Sequence, residues 1–359
     1  MKKHLIAAAV AAAVAVPAMA QSNVTVYGIL DQAIGSFDNG AASNGTLTQN
    51  TTNLIATQRI GLRGSEDLGG GLKANFVIEG GLTNGSGAQG WQRGTFVELA
   101  GAFGSVRLGW ADLNTTNIDD AMSQAGNLGA MMTQADGANI TSTSGNGDGL
   151  GNDDGNAIIY TTPNFNGFTV EVGYKAPRTI AAPAAGTTTT AGAASRDQAG
   201  AAESQTGIRV DYSKGPLKLA VGQTKGDNEG PSTLDRKLTA AGGSYDFGMV
   251  SVGYTYVKAE PNSTTSHKYN LLSAKVPLGN GLAVHGVYQT AKANTANEKA
   301  DGYTLALTKA LSKRTTVYAA YTDLDNKGVN AGYGMRGTGA PGAAGQDPSA
   351  FAVGVVHSF

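Results

Sequence analysis

Apolar and polar residues alternate with a period of two along most of this chain, and the pattern is clearest at its end. In Phe351-Ala-Val-Gly-Val-Val-His-Ser-Phe359 the odd positions Phe351, Val353, Val355, His357 and Phe359 are bulky, while the even ones are small or mid-sized. A period of two marks the two faces of a β-strand. An apolar strand closing on an aromatic would be a poor edge for a water-facing sheet, because it invites pairing with other chains. It suits the closing strand of a barrel whose outside is lipid, pairing with Val24–Leu30 at the front.

The same alternation predicts strands at 23–37, 54–66, 71–81, 91–101, 104–111, 156–163, 167–175, 205–214, 216–225, 236–247, 249–259, 267–278, 281–292, 301–312, 314–325 and 349–359. That makes sixteen, an even number, as in bacterial single-chain barrels. The connections alternate in length. Short turns at Glu66–Gly71, Gly101–Gly104, Pro163–Gly167, Lys214–Pro216, Asp246–Gly248, Leu278–Gly281 and Ser312–Lys313 are interleaved with long segments. The long ones are 38–53, 82–90, 112–155, 176–204, 226–235, 260–266, 293–300 and 326–348. The expected fold is therefore all-β: a 16-stranded antiparallel transmembrane β-barrel with short periplasmic turns and long extracellular loops.

Facing follows strand by strand. Ile60 and Leu62 oppose Arg59, Gly61 and Arg63; Leu72, Ala74, Phe76 and Ile78 oppose Lys73, Asn75, Val77 and Glu79; Val106, Leu108 and Trp110 oppose Arg107 and Gly109; Ile208, Val210 and Tyr212 oppose Arg209 and Asp211. An Arg or Lys on the lipid face costs roughly 2–4 kcal/mol near mid-bilayer, so these charges are expected to face a wet lumen. Trp91, Trp110, Tyr174 and Tyr256 lie beside long loops and Tyr212, Tyr245 and Phe247 beside short turns, the pattern of two interfacial girdles.

Composition narrows the function. Lys2, Lys3 and His4, an apolar run from Leu5 to Val16 and the small-residue site Ala18-Met19-Ala20 read as a cleaved signal peptide over 1–20, the run being too short to span hydrocarbon. With 52 Gly, 10 Pro and no Cys, the chain has neither a disulfide framework nor a thiolate metal site. Setting aside Lys2 and Lys3, the 26 basic groups fall to 24 against 27 acidic ones, too even a balance for nucleic acid. Segments 176–204 and 326–348 are low in complexity, with little to bury.

Several stretches together resemble the general trimeric porins of Gram-negative bacteria, in their β-proteobacterial branch. They are Val24-Thr-Val-Tyr-Gly28, Arg59-Ile-Gly-Leu-Arg-Gly-Ser-Glu-Asp-Leu-Gly-Gly-Gly-Leu-Lys-Ala74, Gly104-Ser-Val-Arg-Leu-Gly109, Ser244-Tyr-Asp-Phe-Gly248, Leu311-Ser-Lys-Arg-Thr315 and Val356-His-Ser-Phe359. The resemblance implies a homotrimer in the cell outer membrane, with one pore per subunit and a third loop folded inward as the constriction. It also implies that the assembly machinery reads the last strand through Phe359, His357 and Val355. The chain departs from the family in two ways. Its third loop lacks the Pro-Glu-Phe-Gly turn, and Ile159, Thr161 and Val356 stand where relatives often carry charges.

The candidate site combines two sets of charges. The wall contributes Arg59, Arg63, Lys73, Arg107, Arg209, Lys218 and Lys275. Loop 112–155 contributes Asp112, Asp119, Asp120 and Asp136, in a stretch from Leu108 to Tyr174 without Lys or Arg. If that loop folds inward, opposed rows of charge would bias ions and orient dipolar solutes. Its aspartates could equally be solvated turn residues, which is the better reading for 145–155. Gly149-Leu-Gly-Asn-Asp-Asp-Gly155 has calcium-like ligands but occurs once, without the repeats a solenoid site needs. No Gly-x-Ser-x-Gly is present, and His267, His285 and His357 are widely spaced; His285 is expected to be a passive wall residue. The expected function is a general-diffusion porin passing ions and small hydrophilic solutes, without cofactor, metal or turnover. Its partners would be copies of itself, outer-membrane lipid and lipopolysaccharide. The alternatives are a loop-based adhesin or receptor and, less favoured, a barrel enzyme. Anion preference is the expectation, because Arg59, Arg63 and Arg107 sit on rigid strands.

Overall fold

The computed structural model describes residues 23–38, 40, 46–82, 90–111, 113, 118–125, 132–133, 157–176, 203–228, 236–260, 266–294, 298–327, 334–335 and 345–359. Residues 1–20, read above as a signal peptide, together with Asp112, Asp136, the tip 145–155 and most of segments 176–204 and 326–348, lie outside them.

Along the chain the elements are β1 (Asn23–Asp38), β2 (Thr46–Thr52), β3 (Arg59–Gly69), β4 (Leu72–Gly81), β5 (Gly90–Gly101) and β6 (Gly104–Trp110). A short helix α1 (Ile118–Met122) and β7 (Met132–Thr133) follow, then β8 (Ala157–Thr161), β9 (Phe168–Lys175), β10 (Glu203–Lys214), β11 (Leu217–Asn228) and β12 (Arg236–Asp246). The chain continues through β13 (Ser251–Glu260), β14 (His267–Gly279), β15 (Leu282–Ala293), β16 (Lys299–Ala310), β17 (Thr315–Lys327), β18 (Gly334–Met335) and β19 (Ser349–Ser358). Apart from β7 and β18, which pair with each other, these strands form one antiparallel sheet that closes on itself through β1 and β19.

That sheet contains 17 strands, yet the barrel has sixteen staves, because β2 and β3 are two halves of one. β1 pairs with β3 along Asn23–Ile29 and with β2 along Gln32–Asp38, both on the same edge. This corrects two sequence expectations. Residues 46–52 are strand rather than loop, and 53–58 interrupt the stave instead of opening it. Asn53 takes a positive φ of 63°, and its Oδ1 accepts from the Gln58 amide at 2.6 Å, which turns the chain out of the ladder. The Thr-rich run 46–52 carries little apolar alternation, so its pairing with β1 was hidden in the sequence.

The closing seam is a second correction. Alternation alone suggested that the last strand pairs with 24–30; instead Ile29–Asp38 pairs with Ser358–Ser349. Gly28 and Phe359 exchange backbone hydrogen bonds at 3.1 and 3.0 Å. A Cβ on Gly28 would stand 2.3 Å from the Phe359 ring, so the glycine is the seat of that ring.

Burial confirms the two faces. Val24, Val26, Ile34, Val97, Leu108, Ile208, Val221, Leu272, Leu305 and Val353 are exposed on one face of the wall. Facing water they would be a liability; against hydrocarbon they are the barrel's solvent match. A 12-residue strand at about 3.4 Å per residue, tilted by about 40°, covers roughly 31 Å of height, enough for the apolar band. Phe168 and Tyr212, and Tyr245 and Phe247, pair at 4.5 Å between ring centroids near the short turns. The turn after β3 is tight because Gly69, Gly70 and Gly71 all have positive φ, 83°, 63° and 81°.

Candidate functional site

The register places Arg59, Arg63, Lys73, Arg107, Arg209, Lys218 and Lys275 all on the face opposite the exposed apolar residues, towards the barrel interior. Not all of them meet. Lys73, Lys218 and Lys275 are exposed near the short-turn ends of their strands, and Arg209 is held by its neighbour Asp211 with hydrogen bonds of 2.7–3.0 Å.

Arg59, Arg63 and Arg107 belong to one charged wall over β3–β6. Glu79 on β4 sits at its centre, accepting from Arg93 Nε at 2.9 Å and from Tyr27 Oη at 2.8 Å, with Arg59 Nη1 at 3.7 Å. A register shift between Glu79 and Gly81 brings Arg93 round to this carboxylate, although alternation from the exposed Val97 and Leu99 would put it on the outer face. Tyr27 reaches Glu79 from β1 by lying across Gly61 of the intervening β3; a Cβ there would stand 2.6 Å from the ring. Arg63 stacks over the same ring, 5.0 Å from its centroid, and has no carboxylate partner among the described residues. Beside this group, Glu98 accepts from Asn75 Nδ2 at 3.0 Å and Arg107 Nη2 at 3.3 Å, and Arg107 lies 4.6 Å from the Phe96 centroid. Around Glu79 and Glu98, among the described residues, four guanidiniums therefore stand against two carboxylates.

Across the barrel the inner face carries an apolar patch amid buried polar residues such as Thr255, Ser273, Gln289 and Thr304. Leu238, Ala240, Val257, Ala259 and Ala291 are buried there with Ile118 and Met122 of α1. Two glycines make the seat. A Cβ on Gly242 would stand 2.9 Å from Met122 Cγ, and one on Gly253 would stand 2.0 Å from the Met122 carbonyl oxygen. Three polar contacts then clamp the chain beyond α1. The Gln124 amide donates to Ser273 Oγ at 3.0 Å, Ser273 Oγ donates to the Gly253 carbonyl at 3.3 Å, and His285 Nδ1 lies 2.9 Å from the Gln124 carbonyl. His285 Nε2 is 3.0 Å from Thr308 Oγ1. His285 is thus a loop anchor rather than the passive wall residue expected. Asp119 and Asp120 fall on α1.

Asp31 was missed altogether. Fully buried on β1, it accepts from the Ile55 and Ala56 amides at 2.7 and 2.9 Å and from Tyr318 Oη at 2.7 Å. Tyr318 crosses from β17 over Gly354 of β19 to reach it. The carboxylate so holds 53–58 inward, and Leu54 joins Ala125 and Tyr318 in one apolar cluster. A carboxylate on the interior parity of a strand with no nearby basic residue was the available signal.

A closed sixteen-stave barrel with an apolar exterior, a charged interior wall and part of a loop seated inside is a transmembrane channel of outer-membrane type. The model of the Gram-negative porin family matches residues 7–331, and the chain belongs to that family. It is 35% identical over 376 residues to the outer membrane porin protein 32 of Delftia acidovorans, covering 100% of both chains. Its structure is similar to that of an anion-selective porin from Comamonas acidovorans, with 30% identity and a TM-score of 0.73 over 94% of this chain and 100% of that one. It also shares its fold with a trimer form of OmpT from Vibrio cholerae, 16% identical, TM-score 0.64, over 94% and 99%. The protein is an outer-membrane porin, a water-filled channel for passive passage of ions and small hydrophilic solutes.

Proposed function

We propose that the channel favours anions, selected by the wall over β3–β6, and that the segment carrying α1 is its constriction. The observation that carries this reading is the excess of guanidinium over carboxylate on rigid strands, with no carboxylate partner for Arg63 among the described residues. The acidic segment α1, with Asp119 and Asp120, is seated on the opposite wall, so a transverse field would orient dipolar solutes. The anion selectivity of the Comamonas porin supports the same sign. No catalytic turnover is involved. The channel works as a homotrimer, as the OmpT trimer form suggests. Residues 1–20 are removed on export, outer-membrane lipid surrounds the barrel, and the assembly machinery reads Phe359, His357 and Val355.

The test is the zero-current potential of purified protein in a planar bilayer under a salt gradient. A charge about 4–8 Å from a passing ion is worth about 0.5–1 kcal/mol in water, roughly a two- to fivefold change in anion-to-cation permeability. Arg59→Ala with Arg63→Ala should move the potential towards cation preference by that order, and Glu79→Gln should move it the opposite way. Both shifts should shrink as salt rises, the Debye length falling from about 10 Å at 0.1 M to about 3 Å at 1 M. An unchanged potential in both variants would place this wall outside the selective region.

A further inference from the structure

The outer surface carries a feature that channel function leaves unexplained. Lys258, Lys268, Lys292, Lys299 and Lys327 are direct cross-strand partners in an unbroken row across β13, β14, β15, β16 and β17. Each lies on the same parity as the exposed Tyr254, Leu272, Tyr288, Tyr303 and Tyr321, hence on the outside of the wall and not in the pore. Like charges placed directly opposite on neighbouring strands repel and destabilise a sheet. Among the described residues, only the ends of this row are neutralised internally. Lys258 bonds Glu260 at 2.7 Å, and Lys327 bonds Asp301, with Asp325 at 3.4 Å. Lys268, Lys292 and Lys299, adjacent on three consecutive strands, have no carboxylate partner among the described residues.

Position says which anion would sit there. Lys258, Lys292 and Lys299 lie four residues beyond Tyr254, Tyr288 and Tyr303 on their strands, towards the long connections. Four residues are about 13 Å of strand, or about 10 Å of height at a tilt near 40°. Tyrosines of this kind mark the boundary between hydrocarbon and headgroups. The row therefore stands at headgroup height, above lipid-facing Leu272 and Leu305. Five strands at about 4.8 Å spacing make it about 19 Å wide, the scale of a headgroup array and not of a single small ion. A cleft of about 240 Å³ between Lys258, Lys268 and Lys292 adds Ser266 and Asn294 to its lining.

We infer that this lysine row is a docking site for the phosphate groups of a phosphorylated lipid in the outer leaflet. The inference deepens the lipid contact proposed above and rests on the long connections being extracellular. Lysine is well suited to such a surface, because its ammonium is a point charge on a flexible stem, able to follow headgroups that differ in geometry. The phosphates supply the countercharge whose absence would otherwise make the row repulsive.

The test compares the native, full-length oligomer with the variant Lys268→Gln/Lys292→Gln/Lys299→Gln. The probe is a bisphosphorylated diglucosamine acyl lipid in detergent, and the readout is bound lipid by native mass spectrometry together with the temperature at which the oligomer dissociates. At roughly fivefold per lysine, the triple variant should bind this lipid on the order of 100-fold more weakly. The Lys→Arg triple should keep most of the affinity. Single-channel conductance of all three should be the same, because the row is outside the pore; this separates failure of the inference from failure of the channel reading. Equal lipid binding by wild type and the Gln triple would overturn the inference. So would equal stabilisation by the dephosphorylated lipid, or by inorganic phosphate at the same phosphorus concentration, which would make the ligand a soluble anion. Dissociation of the lipid-free Gln triple into monomers would also overturn it, by making the row a subunit contact.

Discussion

Asp31→Ala is expected to lower the stability of the barrel by about 3–5 kcal/mol. The carboxylate is fully buried and satisfies the Ile55 amide, the Ala56 amide and the Tyr318 hydroxyl. A buried donor left without an acceptor costs about 1–3 kcal/mol, so three of them could cost more than the stated range. Removing a buried carboxylate also relieves its own desolvation, which offsets part of the loss. Asp31→Asn retains an acceptor oxygen and should fall between the two. Urea unfolding of the detergent-solubilised protein, followed by the mobility shift between folded and unfolded bands, measures this directly. The Ala variant should also gate more noisily in a bilayer, since Leu54 shares its apolar cluster with Ala125 of the third loop. Unchanged stability would mean that segment 53–58 is held by its backbone alone.

The second large effect is on conductance. Gly253→Val should drive α1 off the wall without harming the strand that carries the substitution. Gly253 has no positive φ, and valine favours extended backbone, so β13 itself accepts the change. The obstacle is the loop: a Cβ there would stand 2.0 Å from the Met122 carbonyl oxygen. Burial of Ile118 and Met122, at about 1.5–3 kcal/mol each, cannot offset a backbone collision of that kind. A helical turn with its side chains is about 10 Å across. Moving it should raise single-channel conductance on the order of 1.5-fold or more. Ser273→Ala and His285→Ala remove only polar clamps and should give flickering at near-normal conductance. If Gly253→Val conducts as wild type does, α1 does not border the conducting path.

Particular residues show how much of this was legible. Ile60 and Leu62 against Arg59 and Arg63 assign the faces of β3 without any structure, because strand parity is a local property of the backbone. The same holds for Phe351, Val353 and Val355 on β19 and for the girdle residues Trp91 and Tyr245. Arg93 defeats the rule, since a register shift inverts its side within β5. What Asp31 binds was hidden for a different reason: its partners are 24, 25 and 287 residues away.

The lysine row makes the same point on the outer face. Each lysine is an ordinary strand-end residue in the sequence, and only the registers of four successive hairpins line them up. The glycines behave similarly. Gly61, Gly242, Gly253 and Gly354 look alike as strand glycines, yet two are bridged by tyrosines and two seat α1.

By itself, then, the sequence determined the number of staves, which face each presents to lipid, and which ends carry long connections. Those follow from side-chain periodicity and from the cost of charge in hydrocarbon, both of which act within a single strand. Tertiary structure alone decided where the barrel closes, which guanidiniums share a carboxylate, and where the third loop is seated. It also decided that an unbroken row of lysines lies on the outer face. These depend on register, and register is set jointly by pairs of strands whose partners lie far apart in the chain.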